Sequence, residues 1–256
     1  MTSQMQSMTV QPLWHPARVR FSGVRREALL LRLRLQEAMP VVRRYVDVVV
    51  GGLALVLIAP LLLLVAVAIK LTSRGPVVFR QERIGQYGHP FQMYKLRTMC
   101  SDADAQKAKL TADDGGDIRF KMRHDPRITR IGRILRKYSI DELPQLWNVF
   151  LGDMTLVGPR PPIRREVDRY DAYALRRLEL RPGLTCLWQV GGRSDLPFKK
   201  QIALDLEYID RWPLTSLETL APLHRGVLAD LRALVGDHLS VLVKTVPAVL
   251  FGRGAY

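Results

Sequence analysis

Cysteine and acidic residues are scarce in this sequence. It contains two cysteines, Cys100 and Cys186, and neither belongs to a CxxC pair. No disulfide framework or cysteine zinc site is therefore predicted, and such a composition is typical of a reducing compartment. Asp and Glu number 24 against 39 Lys and Arg, which gives a formal net charge of +15. Unless it serves solubility alone, this excess predicts an anionic partner such as a nucleic acid, an anionic membrane surface or a phosphorylated substrate.

One long stretch lacks charge altogether. No charged residue lies between Val48 and Ile69. An apolar run of this length is more typical of a membrane-inserted helix than of a buried core helix. It also begins too far into the chain, and is too long, for an ordinary signal peptide. The sequence therefore predicts a membrane anchor over these residues.

Basic residues flank this run at both ends, and they predict that both ends are cytoplasmic under the positive-inside rule. They are Arg43 and Arg44 before it, and Lys70, Arg74, Arg80 and Arg83 after it. A helix that crosses once cannot satisfy this prediction, whereas a helix that enters, bends and returns can. Pro60 lies near the middle of the run and removes one backbone donor, which favours a kink there. A straight span with a tolerated proline is the alternative.

The segment before the run is basic and rich in leucine between Arg18 and Leu35. Such a segment either lies on an anionic membrane surface or forms a solvated helix with one apolar face. The leucine spacing is not cleanly helical, so it does not choose between the two.

Two short strands are predicted after the run. Gly75-Pro76 marks a turn, and the apolar residues 77–79 that follow it predict a strand. Residues 91–99 alternate between apolar and polar side chains and predict a second strand, joined to the first through residues 86–90. Lys95 and Arg97 then project from its polar face. The acidic residues 101–118 match no calcium-binding spacing and are predicted to form a loop.

Two acids stand side by side at Asp141 and Glu142, after a basic segment that is predicted to be helical. Ser139 and Glu142 have the S-x-x-E spacing of a capping box, which predicts a helix start near Ile140 and a structural role for Glu142. The cap does not explain Asp141. An ionised Asp at a helix N-terminus can attack phosphorus, and an adjacent Glu can hold Mg²⁺. Because adjacent acids are more often structural, the pair alone assigns no function.

Ordered motifs recur along most of the chain. They are Phe79-Arg-Gln-Glu-Arg83, Tyr94-Lys-Leu-Arg-Thr-Met99, Arg127–Arg133, Ser139–Pro161, Arg181-Pro-Gly-Leu-Thr185, Leu187–Val190, Gly192-Arg193, and the tail motifs between Lys244 and Tyr256. Together these motifs resemble the bacterial sugar transferase family, the monotopic polyprenyl-phosphate phosphoglycosyl transferases. The resemblance covers roughly residues 41–214 and the end of the tail, which is far more specific than one short pattern.

The resemblance implies a two-step reaction. Asp141 attacks the β-phosphorus of a UDP-sugar and UMP leaves, so that an aspartyl sugar phosphate remains. A polyprenyl phosphate, usually undecaprenyl phosphate, then takes up the sugar phosphate in the first membrane step of exopolysaccharide or glycoconjugate synthesis. Glu142 is implied to bind Mg²⁺ (or Mn²⁺), and four basic residues to bind the phosphates: Arg160, Arg136, Arg193 and Lys95. As alternatives, Arg136 and Arg193 are ordinary surface charges.

The resemblance also implies a fold and a location. The fold is a small, helix-rich α/β catalytic domain with an N-terminal re-entrant membrane helix and surface amphipathic helices, on the cytoplasmic face of the bacterial inner membrane. The helix break, often Ser-Pro in the family, is here Ala59-Pro60. The predicted division is a basic extension over 1–40, the re-entrant helix over 41–72 and the catalytic domain over 73–256, with residues 215–238 as an insertion.

The expected partners are a UDP-sugar, a polyprenyl phosphate and inner-membrane lipids, and a homodimer is left open. Two other functions are weighed against the enzyme. A membrane-tethered nucleic-acid binder is suggested by the net charge, but no helix-turn-helix, zinc or RNP pattern is present, so no nucleic acid is expected. A non-catalytic scaffold of a glycan assembly complex would not need Asp141. The sequence specifies neither the sugar nor the glycan pathway.

Overall fold

The computed structural model of the protein describes residues 23–100, 102–103, 105–106, 125–192, 196–211, 236, 239–245 and 247. Its helices are α1 Gly23–Thr72, α2 Arg130–Lys137, α3 Gln145–Leu151, α4 Arg164–Val167, α5 Ala172–Leu175, α6 Leu187–Gly191 and α7 Phe198–Arg211. Its strands are β1 Val78–Ile84, β2 Pro90–Leu96, β3 Thr155–Val157 and β4 Gly183–Thr185. Short 3₁₀ turns lie at Gln86–Gly88, Ile140–Glu142 and Arg176–Leu178. The fold is therefore the helix-rich α/β mixture that was predicted.

α1 contains the charge-free run and continues as a helix through Pro40 and Pro60. Its part Ala38–Thr72 is long and apolar enough to cross a membrane by length and composition. Ala59 and Pro60 are exposed, and so are many large apolar residues of the run, among them Leu53, Val56, Leu57, Leu63 and Leu64. So much exposed apolar surface on one helix requires an apolar environment.

The polar residues just before the run attach α1 to the rest of the domain. Arg43 donates from Nε to Thr155 Oγ1 (3.0 Å), and Asp47 accepts a hydrogen bond from the Leu156 amide (2.9 Å). Arg44 donates to two carbonyl oxygens at the C-terminal end of α3, each at 2.6 Å. The positive-inside interpretation missed these contacts, in which both arginines bind the domain.

The other end of the run is attached to the same domain. Ile69 is buried in a cluster with Leu96 of β2 and Leu135 of α2. Arg97 was expected on the polar face of the second strand, but it is buried and donates from Nη2 to the Ser73 carbonyl at 2.8 Å. Both ends of the charge-free run therefore lie against one folded unit.

Within the described residues there are two sheets, each of two strands. β1 and β2 form the predicted hairpin, antiparallel from Val78↔Leu96 to Ile84↔Pro90. β3 and β4 are parallel, with Thr155 opposite Gly183. A Cβ on Gly183 would overlap the Gly158 amide, so glycine is required at this crossing. The main core lies between these strands, α3 and α7, and includes Met93, Val149, Met154, Leu206 and Ile209.

Some predictions lie largely outside the described residues. Of the acidic loop, residues 102–103 and 105–106 are described, and of the insertion at 215–238, residue 236 is described. In the basic leucine-rich segment the backbone is helical from Gly23 onward, and side chains are described from residue 38.

Candidate active site

Asp141 and Glu142 lie on a 3₁₀ turn between α2 and α3. Ser139 stops α2 because it adopts a left-handed conformation (φ 52°, ψ 22°), and its amide donates to the Arg136 carbonyl at 3.1 Å. The predicted capping box is wrong, because the Ser139 side chain accepts no capping hydrogen bond. A helical turn does begin at Ile140 as predicted, but it is a 3₁₀ turn, and the α-helix begins at Gln145, after Pro144. Glu142 is consequently free for another partner.

That partner is Lys95, which reaches the turn from β2. Its Nζ lies 2.6 Å from Glu142 Oε1, and the two side chains are 20% and 30% exposed. Burial acts to raise the pKa of Glu142, but the Lys95 ammonium, supported by Arg160 and Arg83, outweighs it and holds the pKa below its usual value. Glu142 is thus an ionised carboxylate held in a fixed position.

Asp141 is the more buried of the two acids, at 8% exposure. Within the described residues, no other side chain donates a hydrogen bond to its carboxylate, although Lys95 and Arg136 favour its charged form electrostatically. Burial, followed by the neighbouring Glu142 charge, raises the pKa of Asp141 to about 6. At neutral pH it is therefore mostly ionised but poorly stabilised, which suits a nucleophile.

Three arginines act electrostatically on the acids together with Lys95. Arg136 is partly buried and donates from Nε to Thr98 Oγ1 at 2.9 Å. Arg160 Nη1 lies 3.8 Å from Glu166 Oε1. Arg83 is buried and donates from Nη1 to the Pro161 carbonyl at 3.1 Å. Three cationic groups thus border a pair of acids, an arrangement that can receive a diphosphate.

Most of the predicted site residues come together here. Asp141, Glu142, Lys95, Arg136 and Arg160 share one electrostatic environment, since the charges of the basic residues act on the two carboxyls. Arg193 lies outside the described residues. Arg83 was interpreted as a basic residue that flanks the membrane run, not as a site residue. It belongs to the family motif Phe79-Arg-Gln-Glu-Arg83, which could have indicated a place beside the acids.

The sequence analysis also missed a buried ion pair that contacts the backbone of Arg160. Arg177 donates from Nη2 to the Arg160 carbonyl (3.1 Å) and from Nε to Asp205 Oδ2 (2.9 Å). Arg177 and Asp205 are 4% and 1% exposed at their side chains. Their pairing therefore fixes the backbone that carries Arg160. Nothing in the local sequence indicates it, because the partners lie on different elements.

The acid pair fits a magnesium ion only if a substrate supplies further ligands. Among the described residues there is no group of three or more His, Cys, Asp or Glu that could hold a metal. Mg²⁺ in phosphoryl-transfer sites is commonly held by one or two carboxylates together with substrate phosphate oxygens. Glu142 meets that requirement as the single carboxylate, since one of its oxygens is paired to Lys95 and the other has no ion-pair partner among the described residues.

Comparisons with known proteins agree with this site. The bacterial sugar transferase family model matches residues 38–220. The exopolysaccharide production protein ExoY of Sinorhizobium fredii is 37% identical over 219 residues, covering 84% of this chain and 88% of that protein. A UDP-glucose:undecaprenyl-phosphate glucose-1-phosphate transferase of Caulobacter vibrioides is 44% identical over 223 residues, covering 84% of this chain and 72% of that protein.

A third relative is longer. The undecaprenyl-phosphate galactose phosphotransferase of Salmonella typhimurium is 33% identical over 238 residues, which make up 90% of this chain and 45% of that protein. The shared region in all three includes the segment that carries the acid pair, Lys95 and the arginines, since it spans most of this chain. By the extent of the family match and by these relatives, the chain belongs to the bacterial sugar transferase family.

Proposed function

We propose that this protein transfers a sugar 1-phosphate from a UDP-sugar to a polyprenyl phosphate, such as undecaprenyl phosphate, and releases UMP. In the first step a carboxylate oxygen of Asp141 attacks the β-phosphorus, and the bond from that phosphorus to the bridging oxygen breaks, so that UMP leaves with the oxygen. In the second step an oxygen of the lipid phosphate attacks the same phosphorus and Asp141 is released. The product is a polyprenyl diphosphate sugar.

The observation that carries the proposal is the state of Asp141. Its carboxylate is buried and receives no hydrogen bond from another described side chain, while cations of Lys95, Arg136 and Arg160 lie around the acid pair. A structural acid at this depth is hydrogen-bonded or paired, as Asp47 is with the Leu156 amide and Asp205 with Arg177. The arrangement instead supports a carboxylate that is kept for a bond to phosphorus.

The arginines have a role in both steps. Arg160 and Arg136 would bind the diphosphate, because guanidinium groups match the geometry of phosphate oxygens and balance the negative charge that develops on the leaving group. Glu142, with Asp141 beside it, would hold Mg²⁺ (or Mn²⁺), which would supply further charge neutralisation when bound. Lys95 keeps the Glu142 carboxylate ionised and in place.

The apolar helix α1 supports a membrane location. We propose that the charge-free run enters the cytoplasmic face of the bacterial inner membrane and returns to the same side. The support is that residues on both sides of the run, Asp47 and Ser73, contact the same domain. A single crossing would place the two ends on opposite faces of the bilayer. α1 continues as a helix through Pro60, so the bend that a return requires stays a prediction. The lipid phosphate lies at the headgroup level, where such a domain can reach it.

The covalent intermediate can be tested without the lipid acceptor. Incubation of the purified protein with a UDP-sugar should release about one UMP per active site, because only the second step needs the polyprenyl phosphate. Intact-protein mass spectrometry after a rapid acidic quench should detect an added hexose phosphate on Asp141. Lipid-dependent turnover without any adduct or UMP burst at several short times would contradict the covalent role. A panel of UDP-sugars in the same assay would identify the sugar.

The topology can be tested with accessible tags at residues 1 and 256. Both tags should be protected from a membrane-impermeant reagent in intact cells and become reactive after the inner membrane is opened, since both termini are expected in the cytoplasm. Labelling of one terminus from the periplasm would support the straight span. Pro60→Leu restores the backbone donor that proline lacks and should favour the spanning form in the same assay.

A further inference from the structure

Thr98 lies two residues after the end of β2, the strand that carries Lys95, and has no role in the reaction described above. We propose that its hydroxyl is a positioning group for Arg136, which directs the two Nη groups of that arginine towards the phosphoryl group at Asp141. This inference rests on the proposed function, because it assigns a partner to one of the phosphate-binding residues.

The backbone of Thr98 holds the beginning of α2. Its carbonyl accepts a hydrogen bond from the Thr129 amide at 3.0 Å. Gly132 packs directly on the same carbonyl, and a Cβ at that position would overlap the oxygen. Thr129 also caps α2 by accepting from the Gly132 amide at 2.9 Å. The first turn of α2 is therefore fixed against Thr98 independently of the threonine side chain.

The Thr98 side chain acts at the other end of α2. Arg136 lies in the last turn, and its Nε donates to Thr98 Oγ1 at 2.9 Å. Thr98 is itself buried, at 6% exposure, so the surrounding side chains restrict the position of its hydroxyl. The electrostatic influence of Asp141 on Arg136 is the strongest of any acid, ahead of Asp125 and Glu142. The guanidinium is therefore hydrogen-bonded to Thr98 through Nε and interacts electrostatically with Asp141.

The hydrogen bond from Arg136 Nε to Thr98 limits how the guanidinium can bind a phosphate. Arginine can bind a phosphate either through Nε and one Nη or through both Nη groups. With Nε bound to Thr98, the side-on mode is blocked and the end-on fork remains. In the described part of the chain the two Nη groups make no hydrogen bond to protein, so they are available to an anion. Thr98 therefore selects which edge of Arg136 meets the substrate.

The test replaces the hydroxyl without changing the shape of the side chain. In Thr98→Val the acceptor is lost, Arg136 gains rotational freedom, and kcat for UMP release should fall about tenfold, with a smaller rise in the KM for UDP-sugar. Thr98→Ser keeps the acceptor and should restore most of the rate. If Thr98→Val does not accumulate as folded protein, Thr98→Ala removes the hydroxyl without adding a methyl group and takes its place.

The chain offers a matched control. Thr155 is also buried and its Oγ1 also accepts from an arginine Nε, that of Arg43 at 3.0 Å, but this pair joins α1 to β3 away from the acids. Thr155→Val removes the same kind of hydrogen bond and should lower thermal stability without lowering kcat. A double-mutant cycle with Arg136→Ala adds a second control, because Thr98→Val should have no further effect on kcat once Arg136 is absent.

The outcomes separate this inference from the proposed function. Full loss of the kcat effect in the Arg136→Ala background, together with rescue by Thr98→Ser, supports the positioning role. A wild-type rate in Thr98→Val and Thr98→Ala overturns it, and so does a rate that falls equally in Thr98→Ser or that falls further in the Arg136→Ala background. Near-normal UMP release by Asp141→Asn would instead overturn the proposed function itself.

Discussion

Asp141 and Asp205 are both buried aspartates in a basic surrounding, but their partners differ. Asp205 Oδ2 lies 2.9 Å from Arg177 Nε and 2.7 Å from Arg177 Nη2, so its charge is bound within the protein. Asp141 has no such side-chain donor in the described part of the chain, and its immediate neighbour is a second acid, Glu142. A buried charge with a bound partner maintains the fold, whereas a buried charge without one is available for chemistry.

This difference predicts opposite effects when each aspartate is changed to asparagine. Asp141→Asn should lower UMP release by about 10³-fold or more, since a neutral amide cannot accept the phosphoryl group. Its melting temperature should not fall, because the amide keeps the shape of the carboxyl and removes one of two adjacent negative charges. The measurements are UMP release and thermal unfolding of the purified protein in detergent. Substantial residual turnover would assign the nucleophile elsewhere.

Asp205→Asn should mainly affect stability. It leaves the Arg177 guanidinium buried without a counter-charge, and loss of one partner of such a pair typically costs about 3–5 kcal/mol of unfolding free energy. The melting temperature should drop clearly, while protein that stays folded at low temperature should still release UMP. A stable but inactive Asp205→Asn protein would show that Asp205 also serves the reaction. The contrast between a structural Asp205 and a catalytic Asp141 would then be wrong.

Glu142→Gln probes the acid that belongs to the site but has a bound partner. It removes the ion pair with Lys95 and one carboxylate that would hold the metal. UMP release should fall by roughly 10- to 100-fold, and the rate should lose most of its dependence on added Mg²⁺. Glu179→Gln is a control, because that glutamate pairs with Arg176 at 39% exposure. An unchanged magnesium titration in Glu142→Gln would exclude this residue as a metal ligand.

The smallest effect on stability is expected at the ion pair of Arg176 and Asp210, which lies next to that of Arg177 and Asp205. Arg176 and Asp210 also join the 176–178 turn to α7, but their side chains are 36% and 59% exposed. Asp210→Asn should change the unfolding free energy by less than about 1 kcal/mol, because an exposed pair is well solvated in either state. A loss of unfolding free energy as large as that in Asp205→Asn would show that burial does not determine how much these ion pairs stabilise the fold.

The sequence predicted local features better than distant contacts. The hairpin of β1 and β2 was predicted by turn residues and alternation, and α2 lies in the basic segment that was predicted to be helical. The capping box failed because Ser139 adopts a left-handed conformation. Its S-x-x-E spacing describes a favourable local hydrogen bond, but Glu142 instead meets Lys95, which lies on a different element and forms a charged pair. Glu142 therefore forms an ion pair with a residue distant in sequence instead of a local cap with Ser139.

The site was predicted by composition and resemblance, but its supporting contacts were not. Lys95, Arg136 and Arg160 were named as phosphate-binding residues, without their partners in the fold. The contacts Arg136–Thr98 and Arg177–Asp205 join residues that are distant in sequence, and no periodicity records them. Arg43 was interpreted from its charge alone, although its position one helical turn before Asp47 places both on the side of α1 that meets β3.

The attachment of α1 to β3 has a consequence for how the protein meets bilayers of different thickness. A membrane helix that is free of its domain can slide or tilt to match the hydrocarbon layer. Here a slide of one residue, about 1.5 Å along the helix axis, would separate Arg43 from Thr155 and Asp47 from the Leu156 amide. Helix and domain must therefore tilt together, or the lipid must deform. Membrane thickness would thus set the height of the active site above the bilayer, and with it the reach to a lipid-borne phosphate.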